Sequence, residues 1–258
     1  MKLNTETLGD GPNLVLLHGW GMNAAVWTGL IERLVPEHRV TTIELPGHGH
    51  SPFDSELDSL EKWAEACLAV APERAAWIGW SLGSQISTQA ALMAPERVSH
   101  LVAVAGSPRF LKADDWPHAV ARGTMSGFAE TLKEDPHLTL ERFLALQVRG
   151  SDQARAVLRE LREDLGRRPE PNPEALDKGL EILRGTDLRD RLADLACPVL
   201  WLLGERDTLT PAGVSEELAA LMPQARVEVL AGAAHAPFLS HTDEAVELLH
   251  DFLDRSHD

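Results

Sequence analysis

The sequence predicts an α/β fold, a mainly parallel sheet flanked by helices and interrupted by a helical lid insertion. Three observations carry that reading. Short apolar runs alternate with stretches of helical period over residues 1–107 and again over 187–258. One of those runs, Ala75-Ala76-Trp77-Ile78-Gly79-Trp80, ends at Ser81 in a Gly-x-Ser-x-Gly turn and passes straight into a helical stretch over 85–92. Over 108–186 the strand runs vanish, and helical stretches broken at Pro117, Pro136, Gly150 and Pro171-Asn172-Pro173 take their place. The expected division is a core of 1–107 and 187–258 with a lid of 108–186 over the carboxyl ends of the strands.

A chain of 258 residues is long enough for one α/β domain. Residues 1–8 read as an edge strand closed by the turn Gly9-Asp10-Gly11-Pro12. Leu14-Val15-Leu16-Leu17 is a continuous apolar run, as expected of a strand covered on both faces. It leads through His18-Gly19-Trp20-Gly21 into a helix with Ala24, Val26, Trp27, Leu30, Ile31 and Leu34 on its apolar face. The next strand, 40–43, opens into the loop Leu45-Pro46-Gly47-His48-Gly49-His50-Ser51. Ser59 stands where it would cap a helix bearing Leu60, Trp63, Ala64, Cys67 and Leu68. Strands over 98–105, 197–203 and 225–230 and helices over 214–221 and 243–253 complete the alternation.

The net charge of −16 argues against nucleic-acid binding and favours solubility. No apolar run approaches the ~20 residues that cross a bilayer, and the first residues lack the basic start and apolar core of a signal peptide. Cys67 and Cys197 lie far apart in apolar settings, which reads as buried free thiols. A cytoplasmic monomer without membrane or nucleic-acid partners is expected.

Ligands of parallel sheets bind at the carboxyl ends of the strands, so the His18-Gly19 loop and Ser81 should face one cleft. A serine hydroxyl is a weak nucleophile and needs a general base held by a carboxylate. In this topology acid and base follow the serine in that order, each after a late strand. Asp207 in Gly204-Glu205-Arg206-Asp207 and His235 in Gly232-Ala233-Ala234-His235 stand at those places, with Glu205 and Asp187 as rival acids. The oxyanion would take the backbone N–H of Leu82, at the helix start, and that of Trp20. His18 is expected to shape its loop, and His48 and His50 to be structural or exposed. The eleven histidines show no metal-ligand spacing such as His-Glu-x-x-His, and the chemistry needs no cofactor.

These residues resemble the α/β-hydrolase superfamily. The stretches Leu14 to Asn23, Trp77 to Gly83, Glu141 to Gln147, Gly179 to Leu183 and Ala233 to Phe238 resemble, more narrowly, the biotin-pathway esterases that demethylate pimeloyl-acyl-carrier-protein methyl ester. The resemblance implies an acyl chain tethered to an acidic acyl-carrier protein. It also implies substrate contacts from Trp20, Ser81, Leu82, Phe143, Leu144, Ala145, Leu146 and Gln147. Between Glu141 and Arg168 the chain carries seven arginines against five acidic residues, an excess of positive charge in an acidic protein. Arg155, Arg159 and Arg162 recur at helical spacing and, with Arg142, form the expected docking stripe for the carrier. Ser84 stands where the family often has glycine, and a minor packing change is expected there. The rival readings are a general short-chain carboxylesterase of the same fold and a non-catalytic binding module that kept it.

Overall fold

The computed structural model describes residues 2–254. Its strands are β1 (Thr5–Leu8), β2 (Asn13–Leu17), β3 (Arg39–Ile43), β4 (Ala75–Trp80), β5 (Val98–Val104), β6 (Val199–Gly204) and β7 (Arg226–Leu230). They form one sheet in the order β1-β3-β2-β4-β5-β6-β7. β1 pairs antiparallel with β3 at one edge, and the other pairings are parallel. The burial follows from that order. β4 and β6 are buried at every position, as strands covered on both faces must be, while edge strand β1 is mostly exposed.

The flanking helices are α1 (Thr28–Leu34), α2 (Leu60–Leu68), α3 (Leu82–Met93), α8 (Val214–Leu221), α9 (Pro237–Ser240) and α10 (Thr242–Asp254). Ser59 caps α2, its hydroxyl accepting from the Lys62 N–H at 3.3 Å. Two elements depart from the sequence reading. The helix expected over 24–34 is a 3₁₀ turn, Ala24–Trp27, followed by α1. The Thr28 hydroxyl donates to the Ala25 carbonyl at 2.7 Å, a local bond that competes with α-helical pairing. The expected first strand narrows to Thr5–Leu8 because the Asn4 N–H turns to the Ser51 hydroxyl; Met1 lies outside the described residues.

Between β5 and β6 come α4 (Arg122–Glu134), α5 (Pro136–Gln147), α6 (Ala154–Gly166) and α7 (Pro173–Gly185). Two of them start with proline behind a capping side chain, Asp135 for α5 and Asn172 for α7. The two ends of this insertion meet where it leaves the core. Leu188 N–H donates to the Pro108 carbonyl at 3.0 Å, and Asp187 accepts from both Arg109 and Arg189. Arg189 also reaches Asp115 at 2.9 Å and lies over the Trp116 ring at 5.3 Å. Those partners hold the Asp187 carboxyl down to about 2.

Candidate active site

Ser81 joins β4 to α3 with φ 54° and ψ −115°, a backbone region costly to any residue with a side chain. The surroundings impose it. The Ser81 N–H donates to the Val104 carbonyl at 3.0 Å, keeping the turn in the sheet while the chain reverses into α3. A Cβ on Gly79 would strike the Gly83 carbonyl, and one on Gly83 would strike the Leu17 and His18 carbonyls. Both glycines of the pattern are therefore steric requirements of the turn. Ser84 fits because its hydroxyl donates to the Ser81 carbonyl at 2.6 Å, beside Gly106, where a Cβ would clash with it.

Asp207 and His235 come together from the loops after β6 and β7. His235 Nδ1–H donates to Asp207 Oδ2 at 2.6 Å, and both side chains are fully buried. Asp207 Oδ1 accepts from the N–H groups of Leu209 and Thr210 at 2.7 and 2.9 Å, so the carboxylate cannot rotate without losing them. On the histidine's other side, the Trp80 indole N–H donates to the His235 carbonyl at 2.6 Å. That bond ties the histidine loop to the residue before Ser81. Among the described residues His235 Nε2 has no hydrogen-bond partner, and a neutral imidazole so held has its lone pair there. The rival acids lie elsewhere: Glu205 accepts from the Gly232 N–H at 2.9 Å, and Asp187 belongs to the insertion's ends.

The loop from His18 to Asn23 is pinned on both flanks. On the core side His18 Nδ1–H donates to the Gly19 carbonyl at 2.8 Å, and its Nε2 accepts from the Leu45 N–H at 3.0 Å. On the insertion side the Trp20 indole N–H donates to the Leu176 carbonyl at 2.8 Å, and Phe143 meets the indole edge-on at 4.8 Å. The Asn23 amide reaches the carbonyls of Asp164 and Leu165 at 3.4 and 3.3 Å. Leu82 opens α3, whose first N–H groups have no intrahelical acceptor. Among the described residues the Trp20 backbone N–H likewise makes no hydrogen bond.

The alpha/beta hydrolase fold family matches residues 12–242. A pimeloyl-acyl-carrier protein methyl ester esterase of Photobacterium profundum is 47% identical over 248 residues, 96% of this chain and 97% of that protein. The esterase of that name from Aliivibrio salmonicida is 46% identical over 98% of this chain and 96% of its own length. The chain belongs to this esterase family. Solved structures add the fold alone. An esterase from Exiguobacterium antarcticum superposes with a TM-score of 0.88 at 21% identity, covering 98% of this chain and 95% of that one. A bromoperoxidase from Bacillus anthracis gives 0.87 at 21% identity over the same shares.

The positions that the family resemblance marks as substrate contacts do not share one environment. Trp20, Leu82, Phe143, Leu144 and Gln147 are buried, Leu146 is half-buried, and Ala145 faces solvent. Gln147 is tied to the backbone of His235. Its carbonyl accepts from the His235 N–H at 3.0 Å, and its buried carboxamide has no partner on either atom among the described residues. Gly179, buried in α7, is a contact that periodicity could not reveal: a Cβ there would stand 2.9 Å from Trp20 Cδ1 and 3.4 Å from Leu82 Cδ2. A cavity of about 600 Å³ opens between α5, α6 and the start of α7, over Leu140, Leu144, Leu165 and Leu176. Neither Ser81 nor His235 lines it.

The four arginines of the expected stripe are all exposed. They are not equally available to a partner. Arg162 is engaged by Glu141 at 2.7 Å, across α5 and α6, and Arg159 lies 3.9 Å from Glu163 on its own helix. Arg142 and Arg155 carry no ion pair among the described residues. Helical spacing could place Arg155, Arg159 and Arg162 on one face of α6, but not report the carboxylate waiting on α5.

Proposed function

We propose that the chain is a serine carboxylesterase that hydrolyses the methyl ester of pimeloyl-acyl-carrier protein in biotin precursor synthesis, working in the cytoplasm as a monomer without a cofactor. The observation that carries the chemistry is the buried Asp207–His235 pair, its Nε2 unpartnered among the described residues and its loop tied by the Trp80 indole to the residue before the strained Ser81 turn. The substrate rests on the relatives, whose likeness runs through the insertion as well as the core.

In this reading His235 Nε2 takes the Ser81 proton as the hydroxyl oxygen attacks the ester carbonyl. The N–H groups of Leu82 and Trp20 receive the oxyanion, each such donor contributing about 3–4 kcal/mol. As the tetrahedral intermediate collapses, the imidazolium protonates the departing methoxide oxygen and methanol leaves. Water, deprotonated by the same nitrogen, then attacks the acyl-enzyme and frees the acid and Ser81. Asp207 holds Nδ1–H so that Nε2 is the basic atom, and stabilises the imidazolium. Residues 108–186 serve as the lid, with Trp20, Leu82 and Phe143 to Gln147 along the acyl chain. The acidic carrier docks on Arg142, Arg155 and Arg159, while Arg162 braces the two helices.

The test compares pimeloyl-carrier-protein methyl ester with a free short-chain ester. The carrier-bound ester is expected to have the higher kcat/KM. That preference should weaken with salt and fall roughly tenfold in the double variant Arg155→Glu with Arg159→Glu. Ser81→Ala should abolish both activities. Equal use of the free ester would reduce the protein to a general carboxylesterase, and an active Ser81→Ala would remove the mechanism.

A further inference from the structure

We infer that His48 is a positioning residue for the oxyanion loop, its imidazole fixing the peptide that follows Trp20 through a hydrogen bond from the Gly21 N–H. This rests on the assignment of the Trp20 N–H as an oxyanion donor. His48 lies in a different loop, after β3, and is fully buried. Its Nε2 accepts from the Gly21 N–H at 3.2 Å, and its Nδ1–H donates to the Pro46 carbonyl at 2.9 Å. The bond to Pro46 sets the tautomer, because an imidazole donating at Nδ1 accepts at Nε2 only while neutral.

The arrangement is reciprocal. His18, on the oxyanion loop, accepts from the Leu45 N–H of the second loop; His48, on the second loop, accepts from the Gly21 N–H of the first. Their rings lie 5.3 Å apart. Trp20 therefore sits between two anchored neighbours, with the Gly19 carbonyl receiving His18 Nδ1–H and Met22 N–H, and the Gly21 N–H held by His48. Among the described residues the Trp20 N–H makes no hydrogen bond, while the groups on either side of it are tied down. An oxyanion donor needs this, since it must point at charge that exists only in the transition state.

The platform under His48 is itself stiff. The Gly47 N–H donates to the Pro52 carbonyl, the Ser51 N–H to the His48 carbonyl, and the Gly47 carbonyl accepts from the Asn172 N–H at 2.7 Å. The buried Glu44 carboxylate accepts from the His50 N–H at 2.7 Å and the Asn4 amide at 3.0 Å, closing the loop from below. Trp63 meets the His48 ring edge-on at 6.1 Å. Little around His48 can shift to replace its acceptor.

His48→Phe keeps the ring volume and leaves the Gly21 N–H without its acceptor; His48→Gln restores an acceptor at the reach of Nε2. With pimeloyl-carrier-protein methyl ester, His48→Phe is expected to lower kcat roughly ten- to hundredfold with KM nearly unchanged. Affinity for a trifluoromethyl ketone, which forms the tetrahedral oxyanion, should fall in parallel. His48→Gln should return both to within a few-fold of the parent. If His48→Phe does not fold, His48→Met carries the same expectations. A kcat that is unchanged, a loss confined to KM, a ketone affinity that does not follow kcat, or no recovery in His48→Gln would each overturn the inference. Ser81→Ala in the same assays separates this from the enzyme assignment: if it is inactive while His48→Phe is fully active, the positioning role alone fails.

Discussion

The loops that hold the proposed triad and the helical insertion between β5 and β6 are secured by different balances of bonds. Around Asp207 and His235 the ties run to backbone: two amides on the carboxylate, the Arg206 N–H on the Ala233 carbonyl, the Glu205 N–H on the Leu230 carbonyl. The insertion has such ties too, through the Gln147 and Leu176 carbonyls and the Asn172 N–H, and adds charged side chains at its borders. Arg109 and Arg189 hold Asp187 where it leaves the core, and Arg168 reaches Glu6 at 2.7 Å and Glu44 at 3.7 Å from the link between α6 and α7. Backbone ties at strand ends persist as long as the sheet does. Part-exposed ion pairs contribute less each and respond to salt and pH. The difference implies that the insertion's borders can be loosened by salt or acid while its backbone ties to His235 and Trp20 remain.

The largest expected effect lies on the catalytic side. Asp207→Asn keeps the shape of the acid but loses control of the imidazole tautomer. It should lower kcat about 10⁴-fold on carrier-bound and free esters alike. Steady-state kinetics on both substrates checks this, and a loss of tenfold or less would show that another group orients His235.

A middling effect is expected at the insertion's border. Arg189→Ala removes partners from two carboxylates and a ring, and should cost about 1 kcal/mol of stability. Limited proteolysis should then cut faster within 108–186, while turnover of a small free ester stays within about threefold. If the free ester loses as much as the carrier-bound one, the two regions are not separable in this way. The unaltered protein should show the same loosening in acid. Asp187, held down to about 2, keeps its share of stability above the ordinary carboxylate value near 4 and loses it as the pH falls towards 2.

The smallest effect is also the sharpest contrast. Burial holds His18 down to about 4, and burial, with His18 as neighbour, holds His48 down to about 3; Glu44 opposes the shift at His48. The folded state therefore binds fewer protons than the unfolded chain below about 6.5, and these histidines withdraw stability as the pH falls. Asp164 in α6 is pushed up to about 6 by burial, against the pull of Arg167 and with the help of Glu160 and Glu163. Between pH 6 and 4 its folded form holds a proton that the unfolded chain has released, so it returns stability as the pH falls. Urea unfolding at pH 7, 6 and 5 should show a shallower acid loss in His48→Phe and a steeper one in Asp164→Asn. Parallel curves for parent and variants would remove the contrast.

Much of the site was legible because it lies at strand ends. The serine turn, the acid loop after β6 and the histidine loop after β7 each follow an apolar run, so chain order alone placed Ser81, Asp207 and His235 at one end of the sheet. The split between Asp207 and Glu205 was harder, since both follow the same strand; the geometry separates them, one on His235 and the other on the Gly232 N–H. The docking stripe was legible as a helical period and illegible as a set of ion pairs, because Glu141 meets Arg162 from another helix.

By itself the sequence determined the α/β alternation, the helical stretch between two late strands, the order of the candidate catalytic residues and the likeness to one esterase family. All of these are written in local periodicity and short spacings along the chain. The tertiary structure alone decided that His48 faces Gly21, that Gly179 must be bare beside Trp20, and that Arg168 fastens the insertion to Glu6 and Glu44. Those pairs lie from 27 to 162 residues apart. A hydrogen bond or a close contact depends on separation in space, and no period in the sequence encodes it until the sheet and the helices have packed.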